Sequence, residues 1–244
     1  MYQERSYRNL VKSDHLVSFE VSVKETDLHV CAQKCLEDEA KESVLKHRGF
    51  IESYIKDYPD FYKTLVPWHV KDLAPQIVRD MSNAGIRANV GPMAAVAGAV
   101  ASRVGRDLLN YSNEVIVENG GDVFIKLNCP FTYTIHAGKS PLNRCFGIHL
   151  DPCGKSIGVC TSSATIGHSL SMGCADAVCV VSRSCATADA AATSICNHVG
   201  SERQITQAID LGKQIKEVLG IVVIAGKKIG LWGNVEVVPI SNKD

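Results

Sequence analysis

Residues 16–30 read LVSFEVSVKETDLHV, with apolar and polar positions in alternation. This pattern predicts a β-hairpin turning near Lys24-Glu25-Thr26. From Cys35 to Tyr58 the spacing changes: Leu36, Ala40, Val44, Ile51 and Ile55 recur at helical intervals, with charges on the other face. Pro59, Pro67 and Pro75 then mark a loop-rich passage, and QIVRDMSNAG predicts a short helix ending near Gly85. Residues 91–105, GPMAAVAGAVASRVG, predict a helix with Pro92 in its first turn and almost entirely small side chains. Strands are expected at 114–118, 121–127, 132–136 and 145–150; residues 157–165 lead on towards a buried strand at 177–181. A second small-residue helix is expected from about Thr187 to Asn197. SERQITQAIDLGKQIKEVLG follows as an amphipathic helix burying Ile205, Ile209 and Ile215, and three short strands close the chain.

This order of elements gives an α+β fold class: mixed or antiparallel sheets packed with small-residue helices. Residues 1–244 read as a single domain, in which 1–85 could form an N-terminal subdomain. Lys plus Arg and Asp plus Glu both number 26, so the formal net charge is zero and no basic face argues for nucleic acid. The first sixteen residues lack the apolar core of a signal peptide, and no stretch approaches the roughly 20 apolar residues of a membrane span. A cytoplasmic protein is expected, with no membrane partner. The ten cysteines include no Cys-x-x-Cys pair, and most lie in apolar runs, so buried thiols are expected rather than disulfides or a zinc ribbon.

Three polar features interrupt the apolar central half. The first is Asn119-Gly120-Gly121-Asp122, between two apolar runs. It suits first a tight hairpin turn, and second a site where a ligand approaches bare backbone beside a carboxylate. The second is Thr161, Ser162 and Ser163, followed by Thr165, His168 and Ser169; such hydroxyls can donate to a phosphate, or simply line a polar loop. His168 could exchange a proton near neutral pH, or hold a neighbouring carbonyl. The third is Asp189 with Thr193, four apart on the alanine-rich helix and therefore on one face. A carboxylate there needs a donor, a cation or a metal such as Mg²⁺, unless it serves only the helix dipole.

These residues resemble the ApbE superfamily of flavin transferases, and most closely a short archaeal and bacterial branch of it. The stretches that carry the likeness are ETDL (25–28), VGPMAAVAGAVA (90–101), VIVENGGDVF (115–124), CTSSATIGHSLSMGCADAV (160–178) and ADAAAT (188–193). The resemblance implies the ApbE-like fold, FAD in a cleft, and Mg²⁺ assisting transfer of the FMN part to a threonine of a target protein. It implies that Asp189 and Thr193 hold the metal. It also implies that Asn119, Gly120, Gly121, Asp122, Thr161, Ser162 and Ser163 bind the cofactor. His168 is the candidate catalytic residue. Where the transferases carry His-Ile-x-Asp-Pro, this chain reads GHSLSMGCADAV, with His168 and Asp176 at another spacing. The branch implies a second reading, a sulfur-assimilation protein of anaerobes forming homocysteine or cysteine through its thiols, and a third, a non-catalytic partner protein. A flavin or nucleotide is the expected small-molecule partner; a protein partner and a homo-oligomer both stay open.

Overall fold

The computed structural model describes residues 15–71, 73–164 and 173–240. The opening alternation forms the expected hairpin: β1, Val17–Val23, and β2, Thr26–Ala32, pair antiparallel across Lys24-Glu25. Helix α1, Glu37–Asp57, follows, with the one-turn α2, Asp60–Lys63, and α3, Gln76–Ala88. α3 runs past the stop expected at Gly85. A Cβ on Gly85 would lie 2.8 Å from the Val90 carbonyl, so this glycine serves close packing inside the helix. The helix ends instead at Asn89, whose φ of 55° is the left-handed conformation that asparagine tolerates.

A 3₁₀ turn, Pro92–Ala95, leads into α4, Val96–Leu108. Strands β3 (Val115–Asn119), β4 (Asp122–Lys126), β5 (Phe131–Thr134), β6 (Phe146–Leu150), β7 (Ile157–Ser162) and β8 (Ala177–Ser182) come next. Helix α5, Cys185–Asn197, starts two residues before its expected position, because the Ser184 hydroxyl caps it by accepting from the Thr187 N–H. The amphipathic run after Ser201 is only partly helical. A 3₁₀ turn, Glu202–Gln204, precedes α6, Ile205–Gly212. Val218 and Leu219, expected in that helix, belong to β9, Val218–Ala225, where pairing with β8 and β10 overrides helical spacing. β10, Lys228–Gly233, and β11, Glu236–Pro239, complete the described chain.

Eight strands form one antiparallel sheet in the order β1-β2-β3-β4-β7-β8-β9-β10. A second sheet has the order β11-β6-β5. The large sheet lies between the helices on one face and the small sheet on the other. β8 shows the division: Val178 and Val180 join the cluster under the helices, while Ala177, Cys179 and Val181 join the cluster between the sheets. Burial on both faces explains why β3, β4, β7 and β8 read as apolar runs rather than alternating ones. The small residues of α4 and α5 let these helices press together and onto the sheet. A Cβ on Gly98 would come within 2.5 Å of the Cys185 carbonyl, and one on Gly105 within 2.1 Å of the Phe124 ring.

Candidate functional site

The break that separates Val117 from Val123 is a two-residue hairpin. Asn119 pairs with Asp122, and Gly120 takes the positive φ, 68°, that the first residue of a type II′ turn requires. Gly121 has a different reason to be glycine. Its carbonyl accepts from the Thr161 N–H at 2.9 Å, and a Cβ would meet the Thr161 carbonyl at 2.7 Å. The tip is also fastened to the helical layer: Asn119 Nδ2 donates to the Ala97 carbonyl at 3.1 Å, in the first turn of α4.

Asp122 opens β4 on the helical face, opposite Cys160 of β7. Across from it stands Asp189, buried in the middle of α5. Asp189 Oδ2 accepts from the Gly98 N–H at 2.9 Å, and the Ala97 N–H also reaches this carboxyl. The expectation that Asp189 might serve its own helix dipole is therefore corrected. It serves the N-terminus of α4, whose own N-cap, Ala95, has no side chain able to accept. Thr193, one turn along α5, meets Ser162 of β7, oxygen to oxygen at 3.2 Å. Alternation along β7 sends Thr161 to the other face, where its hydroxyl lies 3.3 Å from the buried Tyr133 hydroxyl. Ser163 follows the strand and Gly120 leaves open space around its Cα. His168, with Thr165 and Ser169, lies outside the described residues.

The two acids share one electrostatic problem. Burial raises the Asp122 carboxyl to about 7, against the opposing pull of the neighbouring Cys160 thiol. Burial and the charge of Asp122 raise Asp189 well above the carboxylate range, and the two α4 N–H groups offset only part of this. Among the described residues neither acid has an ion-pair partner at salt-bridge distance, and no group of three or more His, Cys, Asp or Glu gathers as a metal site.

A cavity of about 470 Å³ adjoins this cluster, with Thr26, Arg48, Met93, Val96, Ala97 and Asn119 in its wall. That volume lies in the range of small-molecule sites. Arg48 donates to Thr26 at 2.7 Å and to Glu25 at 2.6 Å, which ties the β1–β2 turn to α1. Residues of ETDL, VGPMAAVAGAVA and VIVENGGDVF thus meet around one space. A hollow of similar size beside β10, lined by Glu202, Arg203 and Lys228, contains none of the sequence-predicted residues. Sequence reasoning missed Arg48, which reads as one charge among many on the polar face of α1, and it missed Cys160, because cross-strand register is invisible in one sequence.

All ten cysteines are free thiols, and the expected burial holds for Cys160, Cys179, Cys185 and Cys196. Cys35, Cys129, Cys153 and Cys174 are exposed because they fall in loops, outside the apolar runs. No described helix is long and apolar enough to cross a membrane.

Residues 8–223 match the family model described as "AbpE bacteria". A UPF0280 protein of Methanocaldococcus jannaschii is 43% identical over 201 residues, covering 80% of this chain and 82% of the relative. A UPF0280 protein of Methanococcus aeolicus is 36% identical over 229 residues, covering 90% and 91%. Among solved structures, the apo flavinyl transferase ApbE of Pseudomonas stutzeri superposes with a TM-score of 0.53 at 15% identity, covering 91% of this chain and 94% of that one. A variant of the flavin transferase ApbE of Vibrio cholerae gives 0.55 at 12% identity, covering 89% and 96%. The chain belongs to the AbpE bacteria family, in an ApbE-like branch that includes the archaeal UPF0280 proteins, and it has the fold of the ApbE flavin transferases.

Proposed function

We propose that the chain binds FAD with Mg²⁺ and acts as a flavin transferase, moving the FMN part to an acceptor hydroxyl. The observation that carries this reading is the pair Asp122 and Asp189, one half-buried and one buried acid at the helical face of the sheet, with no cation partner among the described residues. Two like charges in a dry site are costly, and a divalent cation between them reverses that cost. The donor chemistry fits Mg²⁺. It takes one or two carboxylates, with phosphate and water oxygens completing the shell, and so does not need a third acidic ligand. Asp189 and Thr193 would hold the ion, with Asp122 facing it. When bound, Mg²⁺ would neutralise charge developing on the pyrophosphate.

The chain's own residues then divide the work. Asn119, Gly120, Gly121 and Asp122 present a hairpin tip fixed against α4, and the Thr161–Ser163 segment supplies backbone and hydroxyl groups beside it. The adjoining cavity offers Met93, Val96 and Ile55 as apolar wall for a planar ring, with Asn119 and Arg48 at its polar end. In the transfer itself, the acceptor oxygen forms a bond to the FMN phosphorus while the bond to the bridging oxygen breaks, and AMP leaves. The proton of the acceptor is assigned to His168 on sequence grounds alone. Equilibrium dialysis with FAD tests the reading. Retention of FAD with Mg²⁺ and its loss on chelation are expected; no retention at any Mg²⁺ concentration would sink it.

A further inference from the structure

Cys160 on β7 and Cys185 in the first turn of α5 bring their sulfur atoms to 3.6 Å. The contact has a cause in the sequence. Gly158 precedes Cys160 by two residues and shares its face of the strand, and a Cβ there would lie 2.3 Å from the Cys185 Cα. The start of α5 therefore rests on bare backbone, and the Cys160 sulfur also reaches the Cys185 carbonyl at 3.4 Å. Two thiols in van der Waals contact need an approach of about 1.5 Å to reach the disulfide bond length. On its other side Cys160 faces Asp122, its partner in the β4–β7 ladder.

We infer that Cys160 and Cys185 form a modification site, in which a small peroxide oxidises the two thiols to an internal disulfide and removes the S–H groups that stand beside Asp122. One sulfur takes an oxygen from hydrogen peroxide, giving a sulfenic acid and water as the O–O bond breaks. The second thiol attacks that sulfur, the S–S bond forms, and the hydroxyl leaves as a second water. Both thiol protons end in water, and the two electrons reduce the peroxide. Cys160 is 0% and Cys185 2% exposed, so bulky disulfides are excluded, whereas a peroxide little larger than water can enter through local opening. Burial also keeps both thiols protonated: Cys160 lies well above the ordinary thiol range. Cys185 stays above it too, although the hydrogen bond from Cys160 favours its thiolate. Reaction slower than at an exposed thiol follows.

The bearing on Asp122 rests on the proposed cation site; the disulfide itself does not, so the test uses no FAD and no metal. The full chain with the exposed Cys35, Cys129, Cys153 and Cys174 changed to Ser is treated with hydrogen peroxide, alkylated and cleaved after Arg183, which separates the two partners. Tandem mass spectrometry is expected to find Cys160 joined to Cys185 in most molecules, reversibly on adding dithiothreitol. The crosslink should vanish in Cys185→Ala. Sulfinic acids in place of the crosslink, or a crosslink that survives Cys185→Ala and so maps to Cys196, would overturn the proposal. If Cys185→Ala does not fold, fragment ions from the parent still assign the bond.

Discussion

Helix α4 meets a side-chain carboxyl at each end, and the two are treated in opposite ways. Near its C-terminus, Asp107 gathers Ser43 Oγ at 2.9 Å, His47 Nε2 at 3.0 Å and Lys46 Nζ at 3.4 Å, all from α1. Burial works to raise its carboxyl, but those hydrogen bonds and the nearby positive charge hold it below the usual value. At the N-terminus, Asp189 receives two backbone N–H groups and faces Asp122, and burial pushes it far up. The first acid is a finished joint between α1 and α4. The second is satisfied as a helix cap yet unfinished as a charge. A carboxyl whose donors and cations come from the fold is serving the fold; one left with a like charge opposite it is available to something that arrives later.

The largest test of this contrast is Asp189→Asn. The amide oxygen can still accept from α4, so the cap persists while the charge goes. Mg²⁺-supported FAD binding should fall by roughly 10²-fold, on the scale of metal-site losses, with little change in melting temperature; titration by flavin fluorescence beside thermal melting checks both. The mirror experiment is Asp107→Ala, which strands Ser43 and the buried ring of His47. It should cost about 1–3 kcal/mol of stability by denaturant unfolding and leave FAD affinity unchanged. Equal effects of the two substitutions on binding would erase the distinction.

A pH series separates the same two acids more finely. The folded Asp122 carboxyl is raised from 3.8 to about 7. Its protonated form therefore favours the fold, in full below about 4, and this contribution is lost as pH rises to about 7. Metal-free protein should lose stability across that window, and Asp122→Asn should flatten the loss. Asp107, held low, works the other way: its contribution is present above about 4 and is lost on acidification. Unfolding midpoints from pH 3 to 8 read both slopes. The smallest expected effect belongs to Asn119→Ala, which removes one hydrogen bond to the Ala97 carbonyl. It should cost about 1 kcal/mol in chemical denaturation.

Much of this was legible in the sequence. Alternation gave β1 and β2, helical spacing gave α1, and the apolar runs of β3, β4, β7 and β8 followed from burial on both faces. Polar residues in apolar surroundings singled out Asp122, Asp189 and Thr193, and the fold brings these to one face. What stayed hidden depended on contacts between distant segments. Gly85 reads as a helix stop, and only the Val90 carbonyl shows it to be a packing position. Val218 reads as helical until β8 and β10 claim its strand. Ser162 and Thr161 look equivalent, yet the strand turns them to opposite faces. Cys185 and Cys160 are 25 residues apart, and the glycine that seats them together signals nothing by itself.

The small sheet has a consequence for how the chain is made. β5 and β6 lie in the excursion between β4 and β7, but their sheet is completed by β11, the last described strand. Leu150 and Glu236 are separated by about 85 residues, so at the usual pace of translation β6 waits roughly 5–15 s for its second neighbour. During that interval a nascent chain displays an unpaired edge carrying Phe146, Ile148 and Leu150, the kind of edge that recruits other chains. The same interval leaves the sheet-facing side of Ile148 and Tyr133 without its final cover. Shielding of that edge during synthesis would lower the chance of association between nascent chains.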